Sequence, residues 1–203
     1  MANLMAKRKT LVDSMMRDAI YEGAVVVLAE HGLNGATMDR VAAAAGVAKG
    51  SLYKGFGDKR TLFLKALDHY LERGRATLRE LADDPRSGAE LLRHWLDNVA
   101  AMATCTGLRR GCMSVNCTVE LAPHDNEIRN RLRKHEREIE KIYVQLIGRG
   151  ARDGSLRSDL DVQASAEWLT TIIDGLQVRG KLGLTRAQAE SAVAMAMRAL
   201  APT

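Results

Sequence analysis

The chain has 203 residues, of which 46% are apolar and 27% are charged, and its formal net charge is +5 at pH 7. This composition is typical of a globular protein and excludes a disordered, collagen-like or small disulfide-rich chain. Aromatic residues make up only 4% of the sequence, and there are three prolines. Because strand-forming side chains are scarce while Ala, Leu and Arg recur, we expect an all-α fold.

The positive charge is concentrated near the N-terminus, where residues 1–60 hold 9 basic and 6 acidic side chains. A surplus of this size indicates a polyanionic partner only where the local geometry supports it. No apolar run exceeds six residues, the length of the run at residues 24–29, which is far too short to span a membrane. The three cysteines are an odd number within residues 105–117, which is a poor disulfide framework. We therefore expect a cytoplasmic protein.

Apolar residues recur at helical spacing along the chain, and glycine, proline or a capping residue separates each group from the next. Thr37 and Asp58 are predicted N-caps, and Gly32 and Gly46 are predicted helix stops. This pattern predicts about nine helices and no strand, at about residues 11–31, 38–45, 48–54, 58 onward, 87–103, 112–121, 125–149, 161 onward and 185–200.

Two later helices begin with a recognisable capping box. Ser87 is followed three residues later by Glu90, and Thr185 is followed in the same way by Gln188. The helix predicted over residues 125–149 carries apolar side chains at alternating steps of four and three on an otherwise charged sequence. It is therefore expected to bury one narrow face.

Two short helices joined by a turn that contains Gly46 form the pattern of a helix-turn-helix. The second of them holds small and hydrogen-bonding residues together with Tyr53, and such a helix can approach the floor of the DNA major groove. Lys49, Lys54 and Lys59 lie on or just after it, where phosphate contacts are expected.

Residues 45–54 have the sequence Ala-Gly-Val-Ala-Lys-Gly-Ser-Leu-Tyr-Lys, and Tyr53, Phe56 and Lys59 follow the pattern Y-x-x-F-x-x-K. On these residues the chain resembles the TetR family of bacterial transcription regulators. The resemblance implies a helix-turn-helix DNA-binding domain over residues 1–57 and a ligand-binding and dimerisation domain over residues 58–203, with the helix from residue 58 as connector. It also implies a homodimeric repressor that a small-molecule effector releases from an inverted-repeat DNA operator.

The same resemblance implies roles for individual residues of the helix-turn-helix. Leu52 and Phe56 are expected inside the small domain, and Gly55 departs from the family, which usually has a larger side chain there. The segment Lys7–Lys9 is interpreted as a solvated start or, alternatively, as a basic arm on the DNA backbone. The residues expected to face the groove or hold phosphates are Thr37, Lys49, Gly50, Ser51, Tyr53, Lys54 and Lys59.

The second domain is expected to supply a dimer interface and an effector pocket. Family members pair through their last two helices, and the small and apolar residues that suit this pairing, or alternatively the core of one chain, are Ala164, Trp168, Ile172, Gly175, Val193 and Ala196. The pocket candidates combine apolar bulk with polar groups on adjacent helices, and each is alternatively plain core. They are Trp95, Met102, Cys112, Met113, Asn116, Glu120, Tyr143 and Trp168.

Cys112 follows Arg109 and Arg110 and opens a predicted helix, and both features lower the pKa of a thiol. One alternative function is therefore a repressor that senses oxidants or electrophiles through Cys112 or its neighbours, Cys105 and Cys117. The other interpretation of these cysteines is that they are small buried apolar residues.

A more distant alternative is a cysteine-dependent enzyme that would use Cys112 with His124 or His135 and with Asp125. No sequence motif fixes such a geometry. The cysteine spacing C-x6-C-x4-C also lacks the close pair that is usual in zinc sites. We therefore expect no enzyme activity, no metal and no cofactor.

Overall fold

The computed structural model describes residues 2–105 and 111–202, and it describes side chains from residue 15 onward apart from Asn34. This part of the chain consists of nine helices and contains no strand, as the sequence predicts. None of these helices is long and apolar enough to cross a membrane. The helices are α1 (Ala2–Gly35), α2 (Met38–Ala45), α3 (Lys49–Phe56), α4 (Lys59–Asp83), α5 (Gly88–Thr104), α6 (Met113–Glu120), α7 (Asn126–Asp153), α8 (Val162–Lys181) and α9 (Arg186–Leu200).

The first helix begins at Ala2 and not near residue 11, so the prediction of its start is wrong. The added residues lack an apolar stripe but are rich in Ala, Leu, Met, Lys and Arg, which favour a helix by intrinsic propensity. The segment Lys7–Lys9 therefore lies within α1, and its predicted role as a basic arm concerns side chains outside the described ones. The predicted stop at Gly32 coincides with a break in α1, where this residue has φ 63°.

The chain divides into two compact units, Met1–Leu71 and Glu72–Thr203, so the division lies inside α4. The sequence placed the domain boundary at residues 57/58. The difference arises because the first half of α4 buries Leu62, Phe63 and Leu67 in the first unit. His69, also in this half, stacks on Tyr21 of α1 with ring centroids 4.9 Å apart.

The core of the first unit is formed by one face each of α1, α2 and α3 and by the start of α4. Gly23 of α1 is buried, and a Cβ atom there would lie 2.9 Å from the backbone nitrogen of Ala45 at the end of α2. The two helices therefore cross in close contact, which holds α2 firmly on α1. The buried side chains include Ile20, Ala24, Val27, Met38, Val41, Leu52, Leu62 and Phe63.

The second unit is a bundle in which α5, α7, α8 and α9 share one leucine-rich core. Val193 and Ala196, which were predicted for the dimer interface, are 0% and 2% exposed and belong to this core. That prediction is wrong for both residues because their face of α9 packs inside its own chain. The core also includes Leu91, Leu92, Leu96, Ile142, Leu146, Leu169 and Leu176.

Both predicted capping boxes are confirmed. The Ser87 hydroxyl accepts a hydrogen bond from the Glu90 N–H, and the Ser87 N–H donates to the Glu90 carboxylate at 3.0 Å. The Thr185 N–H likewise donates to the Gln188 side-chain oxygen at 3.0 Å, and the Gln188 N–H donates back to the Thr185 hydroxyl. These bonds satisfy backbone donors that would otherwise remain unpaired in the first turn of α5 and of α9.

Candidate nucleic-acid interface and effector site

The start of α2 and the turn after it are fixed by local hydrogen bonds. The exposed Thr37 caps α2, and its hydroxyl accepts a bond from the Arg40 N–H at 3.2 Å. At the other end, Gly46 adopts φ 66° and donates to the Ala43 carbonyl, while the Val47 N–H donates to the Ala42 carbonyl at 3.0 Å. This pair of bonds ends α2 abruptly and turns the chain into α3.

Helix α3 presents almost its whole surface to solvent. Leu52 is its one buried residue, and Phe56 is partly buried. A Cβ atom added at Gly50 or at Gly55 would meet nothing within 4 Å, so packing does not require glycine at either position. A helix this exposed, with no side chain at two positions, is suited to close contact with another molecule. The exposed residues of α3 are Lys49, Gly50, Ser51, Tyr53, Lys54 and Gly55.

Two anchors hold this exposed helix against the first unit. Leu52 is completely buried, as predicted. Phe56 makes an edge-to-face contact with Tyr21 of α1, with ring centroids 5.9 Å apart. The Lys65 ammonium of α4 lies over the Phe56 ring, 5.4 Å from its centre. These contacts fix the orientation of α3 on the first unit.

The three predicted lysines differ in their surroundings. The Lys49 ammonium lies 2.8 Å from the Asp39 carboxylate of α2, and the hydrogen bond between them raises the pKa of Lys49. The Lys59 ammonium donates to the Leu33 carbonyl of α1 at 3.0 Å. Lys54 lies exposed in the last turn of α3. Lys49 and Lys59 therefore also join helices of the unit, a role that the sequence did not predict.

In the second unit, two of the predicted pocket residues are joined by a hydrogen bond. Trp95 of α5 donates from its indole nitrogen to the Tyr143 hydroxyl of α7 at 2.9 Å. Tyr143 is buried, and burial raises the pKa of its phenol. Near the start of α6, Met113 is buried, and the Asn116 side-chain oxygen accepts a bond from Lys181 of α8 at 2.8 Å. The Trp95–Tyr143 bond therefore joins α5 and α7 in a partly buried position, whereas the Asn116–Lys181 bond joins α6 and α8 at the surface.

Three other pocket candidates do not belong to the interior of the second unit. Met102 is 51% exposed, Trp168 is 37% exposed, and Glu120 lies on the surface at the end of α6. Each of them lies on the exposed side of its helix, so their role as lining residues stays a prediction. Sequence spacing identified the helices but not the side of each helix that the neighbouring helices cover.

Two interior polar residues of α8 were missed. Asp174 is half-buried and Gln177, three residues later, is 6% exposed. Residues three apart share one side of a helix, so both lie on the side that also carries Lys181. The signal available in the sequence was a pair of polar residues at helical spacing inside an otherwise apolar stretch, Ile172–Val178.

Two family models match most of the chain. Residues 20–66 match the model of bacterial regulatory proteins of the tetR family. Residues 88–197, more than half of the chain, match the model of a tetracyclin repressor-like C-terminal domain. The chain belongs to the TetR family. It is a DNA-binding transcriptional regulator, as its helix-turn-helix sequence predicts.

Relatives of this TetR-family chain include the uncharacterized HTH-type regulator YezE of Bacillus subtilis, which is 29% identical over 147 residues, or 72% of this chain and 76% of YezE. The repressor ComR of Escherichia coli is 26% identical over 168 residues, or 82% of this chain and 80% of ComR. A solved structure of a cysteine mutant of the TetR-family regulator CifR with operator DNA is 30% identical, covers 90% of this chain and 96% of that one, and has a TM-score of 0.77. The structure of reduced NemR of Escherichia coli is 19% identical in sequence, and the superposition covers 92% of this chain and 97% of the NemR chain. Its TM-score of 0.81 supports the fold alone.

The three cysteines of this TetR-family chain have different surroundings. Cys117 is buried, and this burial raises the pKa of its thiol to about 12, so it remains protonated at neutral pH. Cys105 is exposed. Cys112 is partly buried just before α6, with its sulfur 2.9 Å from the Ser114 hydroxyl. Arg109 and Arg110, which the sequence argument placed beside Cys112, lie outside the described residues.

The described contacts of His135 do not resemble a catalytic cysteine–histidine pair. Its Nδ1 lies 3.1 Å from a guanidinium nitrogen of Arg75 on α4, and because arginine only donates, Nδ1 is the acceptor. Burial lowers the pKa of His135 to about 4, and the positive charge of Arg75 adds to this effect. His135 is thus a neutral partner of Arg75, which also pairs with Glu138 at 2.9 Å.

Proposed function

We propose that this protein is a homodimeric repressor in the bacterial cytoplasm that binds an inverted-repeat operator and leaves it when a small-molecule effector binds to residues 72–203. The observation that carries the proposal is α3, an exposed helix that buries Leu52 alone and carries Lys49 and Lys54 on its surface. ComR, a relative, is named as a repressor, and the CifR variant was solved with 26-base-pair operator DNA.

On DNA, we assign the major groove to the exposed side of α3 and the phosphates to its flanks. Gly50 and Ser51 let the helix backbone approach the base edges, and Tyr53 adds an aromatic surface. Thr37, Lys54 and Lys59 lie where phosphate contacts would fix the register. The ion pair between Lys49 and Asp39 is exposed, so exchanging its carboxylate for a DNA phosphate costs little.

The dimer proposal rests on an exposed stripe of α8 at successive turns of the helix. Trp168 at the surface is the largest side chain of this stripe, and Ile172 beside it is partly buried. Two copies of such a stripe suit a two-fold interface, which would hold two α3 helices about one DNA turn, ~34–36 Å, apart. The stripe consists of Ala164, Trp168, Thr171, Gly175 and Val178.

The test is Trp168→Glu, because an acidic side chain at the centre of an apolar two-fold interface would face its own copy. We expect the variant to sediment as a monomer and to bind the operator at least ~100-fold more weakly, since half of the contacts are lost. The operator is first selected with the wild type from a pool of random DNA duplexes, and it should be an inverted repeat whose affinity falls steeply with salt.

Val119→Glu is the matched control, since Val119 is also an exposed apolar residue but lies on α6, outside the stripe. This variant should remain dimeric and bind the selected DNA like the wild type. A dimeric Trp168→Glu protein with unchanged affinity would contradict the assigned interface. Failure of the wild type to enrich any duplex would contradict the function itself.

A second candidate is release of the operator by modification of a cysteine. It is supported by the CifR structure, whose protein carries cysteine substitutions, and by Cys112, which is partly accessible beside Ser114. The Cys112 sulfur would add to one carbon of the carbon–carbon double bond of an electrophile such as N-ethylmaleimide, and the thiol proton would end on the other carbon of that bond. This step needs no oxidant.

If this candidate is correct, N-ethylmaleimide should lower operator affinity at least ~10-fold in the wild type and have no effect on Cys112→Ser. Cys105→Ser, which removes the exposed thiol, is the control and should respond like the wild type. Release that persists after all three cysteines are changed to serine would exclude a cysteine switch.

A further inference from the structure

A groove of about 640 Å³ lies within the first unit, between α1, α3 and the start of α4. This volume is typical of sites that hold small molecules, and such sites are lined by apolar and aromatic side chains with a few polar groups. The groove has this composition, because its large apolar or aromatic lining residues are Met16, Ile20, Tyr21 and Phe56. We call it the α1–α3 groove.

The side of the α1–α3 groove that α3 contributes carries little side-chain bulk. Gly55 lines the groove, and a Cβ atom built there would meet nothing within 4 Å. Ser51 lies one helical turn earlier on the same side of α3 and also lines the groove. No neighbouring atom requires glycine at position 55, and alanine would favour the helix more. The α3 backbone is therefore open to close contact with a molecule in the groove.

Two aromatic rings line the groove beside this open backbone. The rings of Tyr21 and Phe56 meet edge to face with centroids 5.9 Å apart, and Tyr21 also stacks on His69 at 4.9 Å. Both of the lining rings are partly exposed, whereas Ile20 beside Tyr21 is buried. A flat aromatic molecule can stack on such rings, and the flexible, exposed side chain of Met16 can adapt to its outline.

The charged side chains of the groove favour an anion. Two of them are cationic, Arg17 and Lys65, and one is acidic, Asp68. The Lys65 ammonium lies 5.4 Å from the centre of the Phe56 ring, and it makes no ion pair with any carboxylate that the structure describes. A carboxylate on a bound molecule would supply this counter-charge at the edge of the aromatic lining. A cationic molecule would instead meet two positive side chains.

We propose that the α1–α3 groove is a small-molecule site in the DNA-binding unit of this regulator and that its ligand is an aromatic carboxylate. The aromatic body lies against Tyr21 and Phe56, and the carboxylate pairs with Lys65. This inference goes beyond the proposed function, which assigns the effector to residues 72–203. Only one step rests on the proposed function. Because Ser51 is assigned there to the base edges of the operator, the ligand beside Ser51 and the DNA should exclude each other.

The test compares three probes of similar shape: 2-naphthoate, its neutral amide 2-naphthamide, and the cation 2-naphthylmethylammonium. Binding to the full-length protein at pH 7.5 is followed by NMR of the methionine methyl groups, and Met15→Leu and Met16→Leu assign their signals. Met16 lines the groove, whereas the neighbouring exposed Met15 does not, so the naphthyl ring should shift the Met16 signal far more. We expect 2-naphthoate to bind about 3- to 5-fold more tightly than the amide, which is the effect of one exposed ion pair, and the cation to bind most weakly.

Two pairs of variants test the assigned residues. Lys65→Gln should make 2-naphthoate and 2-naphthamide bind equally, whereas Lys141→Gln, which removes an exposed lysine of α7, should keep the difference. Gly55→Leu should fill the α3 side of the groove and weaken both probes at least ~10-fold. Gly50→Leu is its matched control for probe binding, since a Cβ atom there also meets nothing within 4 Å but Gly50 does not line the groove. Melting curves establish that each variant is folded, and the lysine pair decides the question if Gly55→Leu is not.

An unshifted Met16 signal, equal binding of the acid and the amide by the wild type, or an unchanged difference in Lys65→Gln would each overturn the inference. Lys65→Gln that weakens operator binding but not probe binding would assign the groove to the DNA backbone instead. At about ten times its dissociation constant, 2-naphthoate should lower the affinity of the wild type for the selected operator about 10-fold, as expected for exclusive binding. Unchanged operator affinity with the groove occupied would overturn the competition.

Binding of the unliganded protein to its selected operator, measured beforehand, separates this inference from the proposed function. A wild type that selects DNA but does not bind 2-naphthoate in the groove retains the proposed function and loses the inferred site. A wild type that selects no DNA loses the proposed function, and the comparison of probes and variants still decides the site.

Discussion

Replacing Tyr53 with alanine is expected to weaken operator binding by roughly 10- to 100-fold, corresponding to about 1–3 kcal/mol, while the protein stays folded and dimeric. Tyr53 is 48% exposed in the middle of α3. Its recorded ring contact is with the Lys49 ammonium, 5.9 Å from the ring centre. Since the ring contributes little to the core, its removal should act on the bound state. The measurement is a fluorescence-anisotropy titration of the selected operator.

Two further measurements show what Tyr53 does on the DNA. Tyr53→Phe keeps the ring and removes the hydroxyl, so a phosphate hydrogen bond is lost while ring contacts remain. Titration of the selected operator and of unrelated duplexes separates phosphate from base contacts, because the loss of a phosphate contact weakens binding across all sequences, whereas the loss of a base contact weakens binding to the operator alone. Leu52→Ala provides the contrast, since it removes a fully buried side chain and should lower the melting temperature of the protein. Full operator affinity of Tyr53→Ala would exclude this residue from the interface.

Gly88→Ala is expected to destabilise the protein by about 3 kcal/mol, near the upper end for an overpacked core. A Cβ atom at Gly88 would overlap the backbone of Gly150 where α5 meets α7, and backbone atoms cannot move aside as a flexible side chain does. The Gly88 N–H also donates to the Asp153 carboxylate at 2.9 Å. Moving α5 away to relieve the overlap would stretch this bond.

Thermal unfolding followed by circular dichroism measures this effect, and the melting temperature should fall by roughly 6–12 °C. Gly74→Ala is the matched control because Gly74 lies within α4 and a Cβ atom there would meet nothing within 4 Å. That change should be neutral or stabilising, as alanine favours a helix by up to about 1 kcal/mol over glycine. Equal melting temperatures for the two variants would contradict the close crossing of α5 and α7.

Much of the local structure could be predicted because it depends on residues near each other in the chain. The caps at Thr37, Ser87 and Thr185 need a side chain and a backbone N–H within one helical turn, and all three form. The stripe of α7 was predicted from its alternating steps of four and three, and Ile128, Leu132, Ile142 and Leu146 are buried. The length of α1 was missed because its early residues carry no periodic pattern, and helix propensity alone extends it.

The candidate sites could be predicted only in part. The sequence identified α3 as the DNA-binding helix and assigned Leu52 to the interior, but it did not predict that Lys49 and Lys59 also contact other helices of the unit. In the second unit it named Trp95 and Tyr143 among the pocket candidates, without predicting the bond between them, and it missed Asp174 and Gln177. An isolated polar residue in an apolar helix is interpreted as exposed unless the neighbouring helices are known.

The sequence by itself determined the all-α class, the helix caps and the helix-turn-helix, because propensity, capping and the spacing of apolar residues act over a few positions. Only the tertiary structure decided which apolar faces meet inside one chain and which remain exposed. Val193 of α9 is in the core whereas Trp168 of α8 is at the surface, although both had been assigned to one interface. Burial depends on residues that are distant in the chain, and the apolar pattern of a helix is the same whether its own chain or a partner covers it.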